Sequence, residues 1–178
     1  PLHDRRQQGP RGPRRRSALR RQAPVLTGAR RPGSAVMATS EFRSPAEFRT
    51  VMDRIFTMMN EDPEMGPRLR AADIPQRFAF PDVHLVVHIR ATRADEPGNL
   101  TWVWSDDVDW EPRVRMEMSS ETANRYFQGR ESIALAIARR RIKTGGDVKA
   151  ALALIPITKP IHDAFKAVVA AEFPHLRV

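Results

Sequence analysis

The chain contains no cysteine, which excludes disulfides, a thiol nucleophile and thiolate metal sites. It has no apolar run long enough to span a bilayer as a helix. It also lacks the GK[ST] of a phosphate-binding loop, an HExxH zinc motif, and nucleophile-elbow glycines around Ser119 or Ser120. No pair of carboxylates, and no Ser with His, can be positioned from the sequence for acid–base or nucleophilic work. These absences leave a weak case for an enzyme and point to no cofactor. They leave a soluble cytoplasmic protein as the expectation.

The formal net charge is +9 over 178 residues. That charge points to nucleic acid or a membrane surface as partner, so its distribution matters. Residues 1–36 hold ten arginines and one acid, Asp4, a net of +9. The remainder holds 30 − 10 = 20 basic and 21 − 1 = 20 acidic residues and is neutral. Residues 1–36 are rich in Pro and Gly and are expected to be disordered. They contain no Met, and Met37 opens "MATSEF", the expected natural start. A nucleic-acid arm or a targeting peptide are the functional alternatives for this segment. The neutral body argues against nucleic acid as the partner of residues 37–178. That body is long enough for one domain with a real core.

Helical and strand periods divide the body. In "SPAEFRTVMDRIFTMMNED" Ser44 can cap, Pro45 suits the first helical position, and Glu47 completes a capping box. Phe48, Val51, Met52, Ile55, Phe56 and Met59 then form one apolar stripe. A second, short helix is expected within 62–73. Val83, Leu85, Val87 and Ile89 alternate with His84, Val86, His88 and Arg90. Leu100, Trp102 and Trp104 share a face, as do Val114, Met116 and Met118. With turns at 94–99 and 105–112, these three strands read as an antiparallel meander. "RFAF" (77–80) is a further short strand. Two short helices follow, separated at Gly129. Then come a basic strand (140–144), a Gly145-Gly146 turn, and a helix capped by Asp147 and broken at Pro156 and Pro160. Ile161, Phe165, Val168 and Val169 stripe a last helix. The sum is an α+β fold.

The most conspicuous motif, "RRRIKTGGD", is not a phosphate cradle. Its Lys precedes the glycines, and Asp147 would repel phosphate at the helix end. His84 and His88, on one strand face, stand too far apart to share a metal. Asp106, Asp107 and Asp109 do not have calcium-loop spacing. They read as a polar hairpin turn. What stands out is apolar: Trp102, Trp104, Met116, Met118, Tyr126, Phe127, "SIALAIA" and "AALALI". Such residues make an ordinary core or an adaptable cavity.

Over 113–170 the order of elements resembles the sterol carrier protein type 2 family of lipid-binding domains. The resemblance is carried by "VRMEMSSETANRYFQGRESIALAIARRRIKTGGDVKAALALIPITKP". Gln128-Gly129 and Gly146-Asp147 fall on family positions. Arg140 stands where the family often has a glycine opening the basic strand. The arginine-rich composition suggests a bacterial member.

The resemblance implies a mostly antiparallel five-stranded sheet with helices covering one face and an apolar tunnel between them. It also implies non-catalytic binding or transfer of sterol, fatty acid, acyl-CoA or phospholipid, with transient contact at a membrane surface. The apolar faces nominate Trp102, Trp104, Met116, Met118, Phe127, Leu135, Leu152, Ile155 and Phe165 as lining. In the family the C-terminal segment often helps close the tunnel, and the helix after Pro160 is placed to do so. The alternative is a structural or accessory domain of the same fold with its interior filled. Neither the ligand nor the oligomeric state follows from the sequence.

Overall fold

The structure, a computed structural model, is described over residues 41–178. The expectations for residues 1–36 and for a start at Met37 lie outside the described residues. Two helices come first, α1 (Pro45–Glu61) and α2 (Met65–Ala72). The strands β1 (Gln76–Phe80), β2 (Leu85–Ala91), β3 (Leu100–Trp104) and β4 (Val114–Glu117) follow. Then come α3 (Ser120–Phe127), α4 (Ile133–Ala138), β5 (Lys143–Gly146), α5 (Val148–Thr158) and α6 (Ile161–Glu172).

α1 forms for the reasons its sequence states. Ser44 accepts the Glu47 N–H at 3.1 Å, and Pro45 opens the helix. Glu47 accepts the Arg43 N–H at 2.6 Å, one residue earlier than a standard capping box. All six members of the stripe, Phe48 to Met59, are buried. Ser119, Ser132 and Asp147 likewise cap α3, α4 and α5 through side-chain oxygens.

The sheet has the order β3-β2-β1-β4-β5, with one parallel pair, β1–β4, and antiparallel pairs elsewhere. The expected meander of β2, β3 and β4 is therefore corrected. "RFAF" is the central strand, and β4 pairs with β1 rather than with its predecessor β3. Residues 105–113 are a crossover, not a hairpin turn. The Arg113 and Val114 amides both donate to the Pro75 carbonyl, which seats β4 at the free edge of β1.

Other boundaries also move. β2 begins at Leu85, and His84 sits outside it at φ +54°, so the two histidines do not share a strand face. Gly145 and Gly146 are not a turn but the end of β5, paired with Arg115 and Val114. Pro156 lies inside α5 without ending it; only Pro160 marks a boundary, before α6.

Strand alternation puts Phe78, Phe80, Val87, Ile89, Met116 and Met118 on the helix-covered face. His88 and Arg90 point the other way, yet His88 is only 3% exposed. The crossover covers them. Trp110 stands edge-on to His88 at 6.2 Å, and the Arg90 guanidinium lies 5.1 Å from the Trp110 ring centroid. Burial holds the His88 imidazole below its ordinary pKa. Arg90 forks onto Glu96 at 2.5 and 2.7 Å.

Two outcomes follow from this framework. Gly146 has φ +75°, and a Cβ there would run into the Arg113 carbonyl oxygen across the β4–β5 pair. Gly146→Ala is expected to destabilise the domain by about 2 kcal/mol in urea unfolding. The Arg90 side chain, with the Arg93 amide second, lowers the Glu96 carboxyl from 4.5 to about 2. A depressed carboxylate stabilises the fold fully above its unfolded pKa, and the contribution is lost as pH falls from about 4.5 towards 2. An NMR titration of Glu96 should find a midpoint near 2, and Arg90→Gln should raise it.

Candidate functional site

An apolar cavity of about 90 Å³ lies between the sheet and the helices. Its floor is Phe78 and Phe80 of β1, Ile89 and Ala91 of β2, and Met116 and Met118 from β4 and just after it. α1 contributes Met52, Phe56 and Met59, and α3 contributes Ala123, Tyr126 and Phe127. α5 contributes Ala151, Leu154, Ile155 and Thr158, an i, i+3, i+4, i+7 stripe. Drug-sized ligands occupy sites of about 300–1,000 Å³. Four of its walls are methionines, the side chain best able to re-pack around an incoming apolar group.

The nominated lining residues separate into two groups. Met116, Met118, Phe127 and Ile155 line the cavity. Trp102, Trp104, Leu135, Leu152 and Phe165 do not. Both indoles donate to Asp53 Oδ1 on α1, Trp102 at 2.9 Å and Trp104 at 2.7 Å. They pack on Phe56 at 5.7 and 6.3 Å, filling the seam between α1 and the edge strand β3. Leu152 is half-buried, one step off the α5 stripe. Leu135 is 43% exposed, two residues past the inward Ile133. Phe165 is fully buried behind Phe127 at 6.4 Å. Thus α6 contributes no lining residue and backs α3. Among the residues the sequence did not nominate, Met52, Phe56 and Met59 were already visible in the α1 stripe. Phe78 and Phe80 were visible in "RFAF".

Polar groups touch the cavity at few points. The Tyr126 hydroxyl meets Thr158 Oγ1 at 3.0 Å, and burial raises the phenol pKa. Thr158 Oγ1 in turn lies 3.3 Å from the Leu154 and Ile155 carbonyls, to which it donates. Tyr126 is then the donor to Thr158, and its remaining lone pair is free to accept. Gln76, the first residue of β1, lines the cavity, and its side-chain amide makes no hydrogen bond among the described residues. Arg90 also borders the cavity, but its guanidinium turns to the opposite sheet face, against Trp110 and onto Glu96. Elsewhere, Ser120 Oγ donates to Asp82 Oδ2 at 2.6 Å, a tie between α3 and the β1–β2 turn. Among the described residues no cluster of three His, Asp or Glu could hold a metal, and no helix is long and apolar enough to cross a membrane.

No protein-family model matches the chain, and no curated protein matches its sequence. Solved structures do match. The UbiJ-SCP2 ubiquinone synthesis protein superposes with a TM-score of 0.50 at 8% identity, covering 66% of this chain and 96% of that one. Sterol carrier protein 2 from Yarrowia lipolytica, in its apo form, gives 0.46 at 12% identity over 63% and 90%. The sec-alkylsulfatase Pisa1 from Pseudomonas sp. gives 0.49 at 15% identity over 60% of this chain. A double mutant of that sulfatase gives 0.50, and the chain spans only 16% of either sulfatase chain. With its five-stranded mixed sheet, its covering helices and its match to nearly all of the UbiJ-SCP2 chain, the described domain has a sterol carrier protein type 2-like fold.

Proposed function

We propose that this protein binds, and transfers between sites in the cell, a lipid that it holds in the cavity between sheet and helices. The observation that carries this reading is the cavity itself: apolar, walled by methionines, and placed between layers that a filled core would close. Each Å² of apolar surface taken from water contributes about 25 cal/mol. Entry of a whole lipid requires the walls to give, because the resting volume is small. Met52, Met59, Met116 and Met118 are the side chains that would move. Binding of this kind needs no catalytic group.

The lining favours a neutral lipid with one hydrogen-bonding end. Gln76 and the Tyr126–Thr158 pair offer donors and acceptors to a hydroxyl or carbonyl. The one cation among the lining residues, Arg90, turns its guanidinium to the opposite sheet face and forks onto Glu96, so an isolated carboxylate in such a site would be costly. Sterols and fatty alcohols meet this description better than fatty acids or acyl-CoA. A neutral quinone-bearing lipid, the class that the name of the ubiquinone synthesis protein brings into view, meets it as well. The small volume supports a second reading, an accessory domain whose interior stays filled.

Native mass spectrometry and solvent extraction of the purified protein separate the two. Retained or exchangeable lipid is expected, and Ala151→Met, which fills the cavity, should weaken its retention about tenfold through overpacking. Absence of any lipid, with no uptake from vesicles, would leave the accessory reading. In competition against a bound neutral probe, a fatty alcohol should outcompete the fatty acid of equal length at pH 8 by about tenfold or more. Equal competition would defeat the preference for a neutral end.

A further inference from the structure

α4 is apolar throughout its six residues, "IALAIA", yet it lies at the surface. Ile133 and Ala136 face inward; Ala134, Leu135 and Ala138 are exposed. At 43%, Leu135 is the most exposed large apolar side chain among the described residues. Arginines stand around it. Arg125, Arg130, Arg139 and Arg141 line one open concavity together with Leu135 and Ser132. Arg140 adjoins them, exposed, at φ +58°.

Most of this charge is unmatched. Glu131 is the one acid of the concavity, and it pairs with Arg141 at 2.8 Å. Arg130 Nε donates to a main-chain oxygen of Val178 at 3.3 Å. Among the described residues no carboxylate forms an ion pair with Arg125, Arg139 or Arg140. Such density of one sign is local, since residues 37–178 as a whole are neutral.

We propose that this α3–α4 surface docks on a bilayer containing anionic phospholipids, with Leu135 inserted at the headgroup boundary and the arginines on lipid phosphates. An apolar helical face flanked by cationic side chains is the pattern that interfacial binding requires. Guanidinium is planar, weakly hydrated and able to take a phosphate two-pronged. Nucleic acid would use the arginines but gains nothing from an exposed Leu135. A soluble phosphate would leave it in water. Docking needs no ligand in the cavity. It would nevertheless bring the cavity wall to the membrane, because Phe127 and Ile133 line the cavity from the inner side of the same two helices.

The test must separate this surface from residues 1–36, which are themselves basic. The chain has no cysteine, so Leu135→Cys carries a single environment-sensitive fluorophore on the full-length protein. Val103→Cys, on the edge strand and 37% exposed, is the control position. With vesicles of phosphatidylcholine and phosphatidylglycerol, the label at 135 is expected to shift to the blue and to be quenched by nitroxide-bearing lipids. The label at 103 should not respond, and vesicles of phosphatidylcholine alone should elicit neither effect. Each arginine lost should weaken the response about fivefold, so Arg139→Ala with Arg140→Asn should raise the half-saturating lipid concentration about 25-fold. Asn tolerates the left-handed backbone at 140, and Arg125→Gln gives an independent variant should the pair fail to fold. The proposal is overturned if the chain sediments with vesicles while the label at 135 stays in water, since residues 1–36 are then the anchor. It is equally overturned if the arginine variants leave the midpoint unchanged, or if a duplex oligonucleotide shields the label and vesicles do not.

Discussion

β1 and β4 pair in parallel, Gln76 to Ala79 against Val114 to Glu117, and the rest of the domain is arranged around that pair. Parallel neighbours cannot be joined by a tight turn, so the chain must lay down β2 and β3 first and then cross back. The crossover lies over the sheet face that the helices leave open. Trp110 on it covers His88 and Arg90, which would otherwise be wet. Because β1 is then central, Phe78 and Phe80 lie side by side with Met116 and Met118 under the helices. The cavity floor is a product of that one register.

The two sides of the cavity are fastened differently. On the β3 side, α1 is tied down by directed hydrogen bonds. Asp53 accepts from both indoles, and Asn60 Oδ1 accepts the Asn99 and Leu100 amides at 2.7 and 2.8 Å. These contacts hold the large aromatics in a seam where they cannot fill the cavity. On the α5 side the helix faces the cavity with small and aliphatic side chains, and its hydrogen bond to α3 runs through Tyr126 and Thr158. If the walls yield to a lipid, the α5 side and the methionines are the part with the fewest directed contacts.

Much of this was readable from local pattern. The α1 stripe, the caps at Ser44, Ser119, Ser132 and Asp147, and the helix pair around Gly129 each depend on neighbours within one turn. A local window contains that information. The order of β-strands in the sheet was not readable in the same way. "NLTWVWS" and "PRVRMEMS" each look like good strands next to a polar segment, and a hairpin is the default join. What displaced it was the unpaired edge of β1, whose value as a central strand four or five residues long could not be seen in "RFAF" alone. Trp102 and Trp104 were placed by the same default: they share the apolar face of their strand with Leu100, but only Leu100 reaches the cavity. The difference is Asp53, which is 49 residues from one indole and 51 from the other.

"RRRIKTGGD" illustrates the boundary between the two kinds of information. Its sequence alone ruled out a phosphate loop, because the order of Lys, glycines and acid is wrong for one, and it identified Asp147 as a cap. Whether the glycines form a turn or a strand was a tertiary matter. They extend because Val114 and Arg115 lie opposite them and accept the pairing, and Gly146 sits too close to the Arg113 carbonyl for any side chain. The sequence by itself determined composition, charge distribution, helix ends and which residues are apolar, since these depend on short-range chemistry. Only the tertiary structure decided which apolar residues surround empty space, because a cavity is a property of what several distant segments fail to fill.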